Sequence, residues 1–191
     1  MNNNLTILKF FVEHKDEGFT IKKVAETLKM NYRIIYEEIM ALEKEQLIKI
    51  IKQGNSKVCT FKYTYHSKMV EIEDARKQEL HKEIQLIYNR IREIQNPYYT
   101  LLLFGSYANK TNKKGSDIDL CFISDNKNMR KELNSITGIT PLNIHLQEFT
   151  SEEFSSMLKS KEFNVGNEIL KNNIILHGME AFYEMINNVK Q

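Results

Sequence analysis

Residues 101–123, "LLLFGSYANKTNKKGSDIDLCFI", place a Gly-Ser pair, a lysine-bearing loop and an Asp-x-Asp between two apolar runs. No other stretch constrains the chain as much. The segment "YYTLLLF" (98–104) is a continuous apolar run of strand length, the pattern of a strand covered on both faces. It stops at Gly105-Ser106. Glycine lets a backbone come close to a ligand, and "SYANKT" directly after it can start a short helix whose free N–H groups point outward. A strand, a Gly-Ser turn and a helix start make a phosphate cradle, to which Lys110, Lys113 and Lys114 add positive charge.

On a strand, residues two apart face the same way, so Asp117 and Asp119 of "DIDLCFI" project together while Ile118 and Leu120 face a core. Two carboxylates that close repel each other and raise a pKa unless a cation sits between them. Oxygen-only ligands beside a phosphate cradle suit Mg²⁺ or Mn²⁺. The stretch therefore reads as a site that holds divalent metal against the phosphates of a nucleotide. A lone Asp-x-Asp often ends a strand as solvated charge. Ten residues between Ser106 and an Asp-x-Asp, with apolar runs on either side, is a far more specific pattern.

On Phe104-Gly105-Ser106 and Asp117-Ile118-Asp119-Leu120 the chain resembles the minimal nucleotidyltransferases of the DNA polymerase β superfamily. The resemblance implies ATP or another NTP at Gly105, Ser106, Lys110 and Ser116, and Mg²⁺ or Mn²⁺ on Asp117 and Asp119. It extends to the strand-like "TPLNIHLQEF" (140–149), to "TSEEFSSMLKS" (150–160) with its Thr-x-x-Glu capping box at Thr150 and Glu153, and to "EILKNNIILHGMEAFYEMI" (168–186), which is like that family's closing helix, short strand, Gly and helix. One departure stands out. The family's third carboxylate lies on the strand after Asp-x-Asp, and the matching positions here are Asn143, between Leu142 and Ile144, or His145, between Ile144 and Leu146. Asn offers a neutral oxygen, and His can act as a base but is a poor Mg²⁺ ligand. Glu148 has the wrong strand parity unless a bulge intervenes.

The amino-terminal third has its own pattern. "LTILKFFVE" (5–13) has helical apolar spacing, Thr20 can cap a helix with Ile21, Val24, Ala25 and Leu28 on one face, and Asn31 can cap another that buries Ile34, Ile35, Ile39 and Leu42. Two β-rich runs follow around Gln53-Gly54-Asn55-Ser56, as in a hairpin. Over residues 5–65 this resembles the winged helix-turn-helix family, which implies a third helix in a DNA groove and a wing on the backbone. The positions carried over are Asn31, Tyr32, Arg33, Tyr36 and Glu37 on the helix, and Lys52, Asn55 and Lys57 on the wing. Residues 1–66 hold 11 Lys/Arg against 8 Asp/Glu, which permits a nucleic-acid partner. Glu37, Glu38, Glu43 and Glu45 oppose phosphate contact, and winged modules also serve as protein-docking units.

Between these parts, "SKMVEIEDARKQELHKEIQLIYNRIREIQ" (67–95) has no Gly or Pro and carries an apolar stripe, so it reads as one amphipathic helix of about 40 Å, ended by Pro97. It would be a connecting strut or a homodimer seam, or else the start of the second domain. The expected architecture is α+β: a winged helix-turn-helix domain over 1–66, a long connecting helix over 67–96, and over 97–191 a nucleotidyltransferase domain with a small mixed sheet flanked by helices. No apolar run approaches the ~18 residues of a membrane span, and the start "MNNNLTILKFFVEHKDEG" lacks the features of a secretory signal, which gives a cytoplasmic reading. Cys59 and Cys121 read as buried free thiols, and the five scattered histidines give no zinc spacing.

The function expected is metal-dependent transfer of an NMP, AMP from ATP first of all, to a hydroxyl of a protein, RNA or small molecule. Relatives implied by the resemblance include antitoxins that adenylylate HEPN-type toxins, so a protein acceptor of that kind is one expected partner. The alternative is a winged-helix regulator that binds double-stranded DNA and whose nucleotidyltransferase domain senses nucleotide or is catalytically degenerate.

Overall fold

A computed structural model describes residues 2–54, 56–94, 98–160 and 162–190. The chain divides into two compact units, Met1–Lys68 and Met69–Gln191. Among the described residues no helix is long and apolar enough to cross a membrane.

The first unit runs α1 (Asn3–Glu13), β1 (Phe19–Thr20), α2 (Ile21–Leu28), α3 (Tyr32–Lys44), β2 (Ile48–Gln53) and β3 (Ser56–Phe61). Each helix starts where a short polar side chain satisfies a free amide: Asn2 accepts from Leu5, Thr20 from Lys23 and Asn31 from Arg33. Leu8, Phe11, Val24, Ile35, Ile39 and Leu42 are sealed between the helices, and α1 and α2 both pack on α3. β2 and β3 form an antiparallel hairpin, with β1 added beyond β3 in the order β1-β3-β2. Gly54 takes the positive φ of 57° that the hairpin turn needs. Ile34 departs from its expected burial and is 39% exposed, because Ile35 and Ile39 already fill the inward face of α3.

The second unit carries α4 (Ser67–Gln78) from Met69 on, α5 (Lys82–Ile91), β4 (Thr100–Phe104), α6 (Gly105–Ala108), β5 (Ile118–Ile123), α7 (Lys127–Gly138), β6 (Ile144–Phe149), α8 (Ser151–Lys159), α9 (Val165–Lys171), β7 (Asn173–His177) and α10 (Met179–Lys190). The sheet order is β6-β5-β4-β7, with β5 and β6 parallel and the other pairs antiparallel. One face gathers Leu101, Leu103, Leu120, Phe122 and Leu176 with Ile84, Ile87 and Ile91 of α5 and Met129 and Leu133 of α7. On the other face Phe149 meets Phe154 of α8, which meets Phe182 of α10. A sheet covered on both sides accounts for the unbroken apolar runs of β4 and β5.

The segment expected as one long helix is two. α4 ends at Gln78, and His81, with φ of −55° and ψ of 143°, outside the helical region, opens α5. The side chain of Gln85 donates to the carbonyl of Leu80, which α4 leaves unpaired. The break has a tertiary cause. The buried positions of α4 are Met69, Ile72, Glu73 and Arg76, with the last two bonded to β7, whereas α5 buries Ile84, Ile87 and Ile91 in the sheet core. One straight helix does not serve both targets. The apolar stripe read as a possible dimer seam is thus used within the unit itself. Pro97 lies outside the described residues, and α5 already ends at Ile91.

Candidate active site

β4 delivers Gly105 at its end, where the chain turns into α6 with φ of 67°. Across the ladder Phe104 pairs with Asp119, so the carboxylate of Asp119 stands beside the Gly-Ser turn. A Cβ at Gly105 would collide with Asp119 Oδ2 and come within 2.9 Å of its Cγ. Glycine is therefore required here for two reasons, its backbone angle and the room that the acid occupies.

On the other side of β5, the parallel register sets Asp119 against His145 of β6. His145 Nδ1 lies 3.1 Å from Asp119 Oδ1, and His145 Nε2 lies 3.0 Å from Gln147 Nε2. An ionised carboxylate only accepts, so Nδ1–H donates to Asp119 and the amide of Gln147 donates to Nε2. Asp119 is partly covered, with 23% of its side chain accessible, against 58% for His145. Asn143 precedes β6, is exposed, and gives its carbonyl to the amide of Ile118. Of the two positions matching a third carboxylate, His145 is the one bonded to Asp119.

Asp117 lies one residue before β5 and is exposed, at the parity of Asp119 and opposite to the buried Ile118 and Leu120. Ser116 supports the loop, its Oγ accepting from the amide of Lys113 at 2.8 Å. Lys110 has φ of 57° and its ammonium pairs with Glu79, just after α4, at 2.7 Å. Glu148 sits on the core side with Ile144 and Leu146 and accepts from Asn134 of α7, and the register of β5 with β6 contains no bulge to bring it round. Among the described residues no group of three or more His, Cys, Asp or Glu side chains is arranged to hold a metal ion. Oxygen donors suited to a hard cation are present at Asp117 and Asp119, next to a cradle that only glycine fits, so the residue types accord with Mg²⁺ or Mn²⁺.

Sequence reading missed Gln147 and Glu79. Gln147 had a signal, since two residues after His145 on a strand means the same face. Glu79 had none, as it lies 31 positions from Lys110.

In the first unit the positions matched to DNA contact are placed unevenly. Tyr32 and Tyr36 are 53% and 37% exposed, and Lys52 and Lys57 lie opposite each other on the hairpin. Asn31 is spent on its cap, and Arg33 Nε donates to Glu37 Oε1 at 2.9 Å. Asn55 lies outside the described residues.

A four-stranded mixed sheet with a Gly-Ser turn and an acid beside it is the palm of a nucleotidyltransferase. The model of the family described as poly(A) RNA polymerase, mitochondrial-like, central palm domain, matches residues 61–163, over half of the sequence, and the chain belongs to this family. The match includes α4 and α5 and stops before α9, β7 and α10. A solved structure described as a crystal structure of a toxin-antitoxin with AMP-PNP is similar at 17% identity and a TM-score of 0.39, covering 58% of this chain and 85% of that one. No curated protein matches.

Proposed function

We propose that this chain is a metal-dependent nucleotidyltransferase that moves the NMP of an NTP, AMP from ATP first of all, onto a hydroxyl acceptor. The observation that carries the reading is the carboxylate of Asp119 packed against Gly105, which ties the acid to the Gly-Ser turn proposed as the phosphate cradle. In the reaction the acceptor oxygen bonds to the α-phosphorus, the bond to the bridging oxygen breaks, pyrophosphate leaves and the hydroxyl proton goes to a base. Asp117 and Asp119 would hold Mg²⁺ or Mn²⁺, which neutralises charge on the phosphates. Gly105 and Ser106 bind and orient the triphosphate. Lys110 adds charge once it leaves Glu79. His145, with Nδ1–H held by Asp119, has Nε2 as its basic nitrogen and is the group to accept the proton once the amide of Gln147 gives way to the acceptor hydroxyl.

Labelled ATP, incubated with the protein, Mg²⁺ and candidate RNA and protein acceptors, HEPN-type toxins among them, tests this. Transfer of label that Asp119→Asn abolishes is expected. Label transfer undiminished by both Asp117→Asn and Asp119→Asn would remove the site from the chemistry.

A second reading rests on His145 itself. A histidine in place of a third acid weakens a two-cation site, which favours a nucleotide-sensing regulator that reads DNA through a winged module in the first unit. ATP binding by calorimetry without turnover, together with salt-dependent binding of duplex DNA, separates this reading from the enzyme.

A further inference from the structure

In the first unit the start of α2, α3 and the β2–β3 hairpin border an open concavity of about 360 Å³, lined by Thr20, Ile21, Lys22, Tyr32, Tyr36, Ser56 and Lys57. Among the described residues its wall has two aromatic rings, two ammonium groups and no carboxylate, and Glu26, one turn along α2 from Lys22, lies 3.9 Å from that ammonium in an exposed pair that a phosphate can replace. The rings of Tyr32 and Tyr36 are stacked, 6.4 Å apart at 29°. Lys57 Nζ lies 5.1 Å from the centre of the Tyr36 ring. Lys52 stands directly across the ladder from Lys57, and like charges placed so cost stability unless an anion rewards them.

The same helix is poorly equipped to read a duplex groove. Its single arginine, Arg33, is neutralised by Glu37, and Glu38 accepts from Asn4. Asn31, the side chain best suited to adenine, is committed to the cap. The exposed equipment of α3 is aromatic, and aromatic faces bind bases that are out of their stack. A basic rim plus stacking rings is the combination that holds single strands without reading sequence.

We infer that this concavity takes an unpaired nucleotide of single-stranded DNA, its base on Tyr32 and Tyr36 and its phosphate between Lys22 and Lys57. The size suits one nucleotide. Among the described residues of the wall there is no carboxylate or carboxamide to single out a ribose 2′-hydroxyl; of its aliphatic hydroxyls Thr20 Oγ1 already serves the α2 cap, and Ser56 adjoins Lys57 on the side given to the phosphate. The inference deepens the DNA-binding reading of this unit and rests on it.

Fluorescence anisotropy on the full chain tests it, using a labelled 12-nucleotide DNA strand, its duplex and the RNA strand of the same sequence at low salt. The DNA strand is expected to bind at least tenfold tighter than the duplex. Tyr36→Leu should weaken it about 5- to 150-fold, the range of one stacked base, while Tyr36→Phe, which keeps the ring, restores it. Lys57→Ala should flatten the salt dependence instead. Duplex binding equal to or tighter than the strand's, with Tyr36→Leu unaffected, overturns the stacking site and leaves the DNA reading standing. RNA held tighter than DNA overturns the choice of sugar. No binding to any of the three removes both readings.

Discussion

At one edge of the four-stranded sheet, β7 buries Asn173 to Leu176, and its outward backbone groups are met by two charged side chains of α4: Glu73 Oε2 accepts from the amide of Ile175 and Arg76 donates to the carbonyl of Asn173. At the other edge, β6 is half-exposed along most of its length and shows His145 and Gln147. An acid and an arginine 2.6 Å apart close the first edge as a further strand would. On the open face of the second edge, among the described residues, His145 and Gln147 bond one another and Asp119. Charge serves structure at the sealed edge, and the chemistry proposed above lies at the open one, so substitutions at the two edges should behave differently.

The largest effect is expected at the sealed edge. Arg76→Ala leaves Glu73, 1% exposed, without its cation and frees the carbonyl of Asn173. A broken buried pair costs about 3–5 kcal/mol, to be measured by urea unfolding. A loss under 1 kcal/mol would mean that water replaces the guanidinium and that the edge is not sealed. Next comes Gly105→Ala, which combines a φ of 67° with the collision against Asp119. Strain of this kind costs about 1–3 kcal/mol, and transfer of label from ATP should fall with it, because the acid must move.

These two sites differ in how far the sequence disclosed them. Gly105, Ser106 and the Asp-x-Asp are legible because strand alternation and a glycine stop are local signals, confined to neighbours in the chain. So is the capping box, which forms with Glu153 accepting from the amide of Thr150 and Thr150 Oγ1 accepting from that of Glu153. Glu73, Arg76 and the break at Glu79–His81 are not legible, since their partners lie about a hundred positions away on β7. Periodicity shows that a residue is on an apolar face. It does not show that the face changes target halfway along.

The local signal can be tested by itself. Thr150→Ala should cost about 1 kcal/mol. The amide and hydroxyl of Thr150 hold the Glu153 carboxyl below the usual carboxylate range. A depressed folded-state pKa gives stability that is present in full above the unfolded value and is lost as pH falls through the folded one. Glu153→Gln should therefore flatten the acid limb of the stability curve below about pH 4.5 and leave the neutral plateau as unchanged in slope. At the thiols the sign is reversed: burial, with Glu43 second, pushes Cys59 up to about 11, and burial pushes Cys121 higher still. Both should stay unmodified by iodoacetamide at pH 8 until the chain unfolds.

The smallest stability change belongs to the open edge and is the sharpest test of the contrast. His145 is over half exposed and among the described residues bonds Asp119 and Gln147 alone, so His145→Ala should shift unfolding by less than about 0.5 kcal/mol. Its effect on the site should be large by comparison, since it frees Asp119 Oδ1 and removes the proposed proton acceptor together. The two losses are separable. His145→Asp supplies an oxygen donor at the same register position, so Mn²⁺ binding, followed by calorimetry, should tighten relative to His145→Ala. Transfer should then recover only if the position serves through the metal. If His145→Asp binds Mn²⁺ tightly yet remains inactive while the wild-type chain turns over, the imidazole acts as the base, and the open edge has exchanged a ligand for a proton acceptor.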